Sequence, residues 1–147
     1  MYKENRQLAE TVSNDVYPLK KLHHNGPLPS GMSMCEQYCH YFRTDTVVSC
    51  SEGNNCFEIF GTAALIRNIL LTHCGNICVV YECFEASESF FTYLLVSTSL
   101  GICQVSKLQG QLCVTNIDDV KQKLVILPFR NDFVVMPLYT AAGANQL

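Results

Sequence analysis

Nine cysteines in 147 residues carry most of the chemistry this chain could perform. Cys35-x3-Cys39-His40 followed by Cys50-x5-Cys56 places five thiol or imidazole groups between positions 35 and 56. Zinc takes four such ligands in a tetrahedron, so Cys35, Cys39, Cys50 and Cys56 form a candidate structural zinc set. The paired C-x-x-C knuckles of common zinc modules do not occur. The competing expectation is a short helical turn over 34–42 that buries Cys35, Tyr38, Cys39 and Phe42. No cofactor is therefore expected, and structural zinc is the lesser alternative. A second group, His73-Cys74-x3-Cys78-x4-Cys83, is weaker, because Cys78 and Cys83 have odd separation in one strand-like run and point to opposite faces.

A nucleophilic cysteine needs a lowered pKa and a base within hydrogen-bond reach. His40 and His73 each adjoin a cysteine in the sequence, which fixes no geometry. No glycine-rich phosphate loop, G-x-S-x-G elbow or H-E-x-x-H motif occurs. A non-catalytic protein is expected, with a Cys/His-dependent enzyme as a minor alternative. His23-His24 after Lys20-Lys21 reads as a solvated helix end, since adjacent helical residues do not face the same way.

The elements that must position these groups are constrained by composition. With 48% apolar and 16% charged residues, the chain is less charged than the roughly 25% of a typical soluble domain. Its surplus apolar surface implies permanent contact with a protein partner or a second copy. No run approaches the roughly 18–20 apolar residues of a membrane span, so no membrane association is expected. The polar opening Met1-Tyr2-Lys3-Glu4-Asn5-Arg6-Gln7 is followed by no apolar signal-type core, and no Asn-x-Ser/Thr site occurs. Nine thiols cannot all pair within one molecule. The expectation is a reduced, intracellular protein, nuclear or cytoplasmic, whose cysteines mostly serve as small buried hydrophobes.

Net charge is −3, and between Thr44 and Ser106 Arg67 is the only Lys or Arg, against Asp45, Glu52, Glu58, Glu82, Glu85 and Glu88. Cations supply most non-specific nucleic-acid affinity, so direct DNA or RNA binding is not indicated. The aromatic residues Tyr81, Phe84, Phe90, Phe91 and Tyr93 could stack on bases. Without interleaved Arg or Lys they read instead as core residues or as anchors of a protein interface.

Residues 4–24 read as a helix, from Leu8, Val12, Val16 and Leu19 at spacings of three and four. Asn25-Gly26-Pro27-Leu28-Pro29-Ser30-Gly31 then separates an N-terminal helical arm, 1–25, from a single β-rich domain, 26–147. In the body, 46–50 and 56–60 flank a polar Gly/Asn turn and suggest a hairpin. Runs 76–84 and 90–98 are β-branched and aromatic, 111–115 is a shorter strand, and 124–129 with 133–139 surround Arg130-Asn131-Asp132 as a second hairpin. The segment 62–74 is favoured as a helix, with Thr62 as N-cap, Gly75 as stop and Leu65, Ile66, Ile69 and Leu70 as a stripe. Residues 118–123 are a shorter helical candidate. The fold class expected is α+β, dominated by antiparallel strands.

If 62–74 is instead strand, the element order over 56–139 resembles a small oligonucleotide/oligosaccharide-binding (OB) barrel with flanking helices. That resemblance implies an accessory subunit of a DNA-end or genome-maintenance complex. The functional reading is a non-catalytic interaction subunit or adaptor of an intracellular complex, with Phe84, Phe90, Phe91, Tyr93 and Leu95 as interface anchors. A virus-encoded host-interaction protein is the alternative.

Overall fold

The computed structural model describes residues 17–85, 87–89 and 102–138. These form eleven strands and no α-helix: β1 Leu19–His23, β2 Glu36–Phe42, β3 Val47–Ser49, β4 Cys56–Ile59, β5 Thr62–Leu71, β6 Ile77–Cys83, β7 Ser87–Ser89, β8 Cys103–Val105, β9 Cys113–Asn116, β10 Val120–Phe129 and β11 Asp132–Pro137. All pairings are antiparallel. The main path runs β9-β6-β5-β4-β10-β11-β8-β7, and β2 branches from the far half of β5 with β1 and β3 on its flanks.

Two cores lie on opposite faces of β4 and β5. Phe57, Ile59, Ala64 and Ile66 enter the first, with Leu19, Tyr38, Val48, Ile69, Val79, Tyr81, Ile117 and Val120. Cys56, Ala63 and Leu65 alternate into the second, with Phe84, Val105, Leu124 and Val135. A strand covered on both faces must be apolar at successive positions, as Cys56-Phe57 of β4 and Ala63-Ala64-Leu65-Ile66 of β5 are. The β2–β3 hairpin is tied to the start of β10 by Arg43. Its guanidinium donates to the carbonyls of Ile117 at 2.9 Å and Lys121 at 3.3 Å, and to that of Val120.

Several sequence expectations are corrected. The helix expected over 62–74 is β5, and the α+β class with a helical arm gives way to an open, antiparallel, nearly all-β sheet. The reason is a bulge: Ile66 pairs with Tyr81 and Asn68 with Val80, leaving Arg67 as the extra residue. Ile66 and Ile69 therefore share one face at a spacing of three, which imitates a helical stripe. The arm repeats the effect. Residues 4–16 of the expected helix lie outside the described residues, but Leu19–His23 is strand, and Lys21 at φ 63° lets Leu19 and Leu22 both reach the first core.

The turn expected over 34–42 is β2. Residues 118–123 form only a 3-10 turn, Ile117–Asp119, capped by the Asn116 side chain accepting from Asp118 N at 2.9 Å, before β10 begins. The OB-like barrel with flanking helices is likewise overturned, because among the described residues the sheet stays open and carries no α-helix. No hairpin joins β3 to β4. A two-residue turn with positive φ at both Phe60 (52°) and Gly61 (76°) is the tight hairpin type, and it commits β4 to β5. The expected strand 76–84 is present as β6, 111–115 as β9, and the Arg130-Asn131 hairpin as β10–β11. The strand expected over 90–98 lies outside the described residues.

Candidate functional site

The four thiols of the candidate zinc set do not converge. Cys39, on β2, faces Cys50, which follows β3. His40 pairs with Ser49 one step along the ladder, and Cys50 N donates to Cys39 O at 3.0 Å. Cys35 precedes β2, and Cys56 is buried in the second core. Among the described residues no group of three or more His, Cys, Asp or Glu could hold a metal. The site that survives from the set is the cross-strand pair itself.

The geometry of that pair is specific. The Cys50 thiol lies 3.9 Å from Tyr38 O. Cys39 Sγ is 3.1 Å from the hydroxyl of Ser51, a residue the sequence did not single out. Burial, and then the neighbouring Cys39 thiol, pushes the Cys50 thiol up to about 12, so at neutral pH it remains protonated. Beside the pair, Ser51 joins His40, Phe42, Val47, Ser49 and Lys123 in the wall of a cleft of about 280 Å³. Burial and the charge of Lys21 hold the His40 imidazole below its ordinary value.

The other thiols are spread over the fold. Cys83 on β6 is diagonal to Cys113 on β9, whose direct partner is Tyr81. Burial, and then Cys35 across β5, pushes the Cys78 thiol up. Cys103 packs against the second core beside Cys56, and Cys74 is exposed in the β5–β6 turn.

Of the expected interface anchors, Phe84 is described and is buried in the second core. It bridges to Leu108 and packs on Phe133 with ring centroids 5.8 Å apart. Phe90, Phe91, Tyr93 and Leu95 lie outside the described residues. The structure instead displays an edge that the sequence reading did not stress. Among the described residues β9 pairs on one side only, with β6. Leu112 and Val114, at 39% and 37% exposure, alternate with the core-facing Cys113. Their signal was the alternation over 111–115, read as a strand but not as an edge.

Arg67, the lone cation of the acidic mid-section, is spent on Glu82. Its Nε and Nη2 donate to Glu82 Oε1 at 3.2 and 2.9 Å, while Glu82 Oε2 accepts from Gly110 N at 2.8 Å. This bond anchors the loop that leads into β9. No helix among the described residues is long and apolar enough to cross a membrane.

No curated protein and no solved structure matches the chain. A family model described as a domain of unknown function, DUF8592, matches residues 22–138, a span that takes in every strand from β2 to β11. The chain belongs to the DUF8592 family.

Proposed function

We propose that this chain is a non-catalytic protein–protein interaction subunit of a reduced intracellular complex, docking a partner through the β9 edge of its sheet. The observation that carries the reading is the one-sided pairing of β9 among the described residues, together with its outward Leu112 and Val114. A strand edge presents a row of backbone donors and acceptors that templates another strand. Main-chain bonds then give affinity, and alternate side chains give specificity. Asp118 and Asp119 follow directly after β9, so the partner strand that fits is apolar at alternate positions and basic at one end. The Arg67–Glu82 ion pair leaves the middle of the chain poor in free cations, which favours a protein partner over nucleic acid. The DNA-end reading rested on the barrel resemblance, so the open sheet leaves it without support.

The test is size-exclusion chromatography with light scattering on the reduced full chain, beside a Leu112→Lys/Val114→Lys variant whose fold is checked by circular dichroism. The expected result is self-association of the wild type at high concentration and a monomeric variant. A wild type that stays a monodisperse monomer at every concentration refutes self-pairing through this edge, and an alternately apolar peptide with a basic end that binds the variant as tightly as the wild type refutes docking there.

A further inference from the structure

We propose that Cys39 and Cys50 form a dithiol modification site, which a small-molecule disulfide of the glutathione class oxidises to an intrachain disulfide across the β2–β3 hairpin. The argument begins with register. Residues that face each other in a hydrogen-bonded antiparallel pair have Cα atoms about 5.5 Å apart, inside the roughly 4.4–6.8 Å window of disulfides. The register His40↔Ser49 sets Cys39 opposite Cys50 one step further along the ladder, and Cys50 N donates to Cys39 O there at 3.0 Å.

None of the other neighbouring thiols meets this condition. Cys83 and Cys113 are diagonal, and diagonal residues stand about 7–8 Å apart. Cys35 and Cys78 have β5 between them, which is two strand spacings, or about 9.5 Å. Cys56 and Cys103 share the second core, but their strands β4 and β8 are separated in the sheet by β10 and β11. Only the β2–β3 pair lies directly opposite across a single strand spacing.

The two thiols have different roles. Cys39 is partly exposed, and the Ser51 hydroxyl at 3.1 Å can donate to its thiolate. Ser51 also lines the cleft that contains Lys123, a cation suited to the carboxylates of glutathione. Cys50 packs against the first core, and its raised pKa keeps it from initiating. The Cys39 thiolate attacks one sulfur of glutathione disulfide, the S–S bond breaks, and one glutathione thiolate leaves. Cys50 then releases its proton to solvent and attacks the Cys39 sulfur, expelling the second glutathione thiolate. Two protein thiols lose two protons and two electrons, and the oxidant takes them up as two molecules of glutathione.

The experiment equilibrates the reduced full chain in graded ratios of glutathione disulfide to glutathione, traps free thiols by alkylation, and maps crosslinks by peptide mass spectrometry. The Cys39–Cys50 crosslink is expected first, at a ratio roughly tenfold less oxidising than any other intrachain disulfide needs. The Cys50→Ser chain is expected to accumulate glutathione on Cys39, and the Cys39→Ser chain to leave Cys50 unmodified while exposed Cys74 reacts. Earlier appearance of any other intrachain crosslink in the wild type, which requires no variant to fold, overturns the proposal. So does a Cys50→Ser chain that labels at Cys74 but not at Cys39.

Discussion

Replacing Gly26 with alanine tests the packing of the loop between β1 and β2. A Cβ at this position would lie 2.4 Å from Asn68 Nδ2, 2.6 Å from its Cγ and 2.9 Å from its Oδ1. Asn68 is completely buried and cannot yield cheaply. Its Nδ2 donates to Pro27 O and Gln37 Oε1, and its Oδ1 accepts from Ile69 N, all at 3.0 Å. Gly26 N itself donates to the same Gln37 oxygen at 2.9 Å. Overpacking costs about 1–3 kcal/mol, and a buried partner left unsatisfied costs about 1–3 kcal/mol more. Against this, alanine restricts the unfolded chain and returns about 0.4–1 kcal/mol. The net expectation is a destabilisation of about 1–5 kcal/mol, or a fall in Tm of roughly 3–20 °C for a domain of this size.

Urea unfolding followed by far-ultraviolet circular dichroism measures the change in a chain that contains no tryptophan. The decisive arm is a double-mutant cycle with Asn68→Ala. Once the carboxamide is gone, the methyl of Ala at position 26 enters vacated space, so Gly26→Ala is expected to cost less than about 0.5 kcal/mol in that background. Additive costs for the two substitutions would show that the clash with Asn68 is not the cause, and would refute the reasoning.

Two further predictions use the same assay. Glu82→Leu leaves the Arg67 guanidinium and Gly110 N without their acceptor, at a cost of about 3 kcal/mol, the low end of the range because Arg67 is partly exposed. Glu82→Gln keeps one acceptor and is expected to cost about 1–2 kcal/mol, and equal costs would contradict this account of the anchor. For Cys56, burial pushes the thiol from an ordinary 9.0 up to about 12, so the folded state holds the proton more tightly than the unfolded state. That contribution is complete below pH 9 and is lost as pH rises toward 12. Between those values wild-type stability should fall more steeply than that of Cys56→Ala, by up to about 1.4 kcal/mol per pH unit, and parallel slopes would contradict it.

Where strands were regular, their sequence announced them. Ile77–Cys83 and the β10–β11 hairpin show plain β-branched runs around clear turn residues. Where strands were irregular, the sequence misled for a definable reason. The Arg67 bulge and the left-handed backbone at Lys21 place residues three apart on one face, so Ile66/Ile69 and Leu19/Leu22 carry helical spacing while being strand. Pairing was harder still. The Gly/Asn turn at 51–55 resembles a hairpin loop, and only the backbone at Phe60 and Gly61 reveals which neighbour β4 takes. For the candidate zinc ligands, spacing brought Cys39 and Cys50 together but could not show that Cys56 faces the second core. That depends on β4 lying between two cores, which is a property of the whole sheet.

The same arrangement explains how one chain carries so many thiols without crosslinking them. Cys50, Cys83 and Cys113 pack against the first core, and Cys56 and Cys103 belong to the second, so these side chains act as small apolar fillers where sheet layers approach. Diagonal register, an intervening strand or the thickness of the sheet keeps most of them apart. Substituting larger residues at such positions would overpack the layers, whereas cysteine fills them and adds reactivity only where geometry permits it. The hairpin pair is the place where geometry does permit it, and it lies on the flank of the β2 branch, away from the β9 edge at the end of the main path. Oxidation at the first and docking at the second are therefore separable. A Val114→Lys chain should still form the Cys39–Cys50 crosslink, and an oxidised chain should still dock.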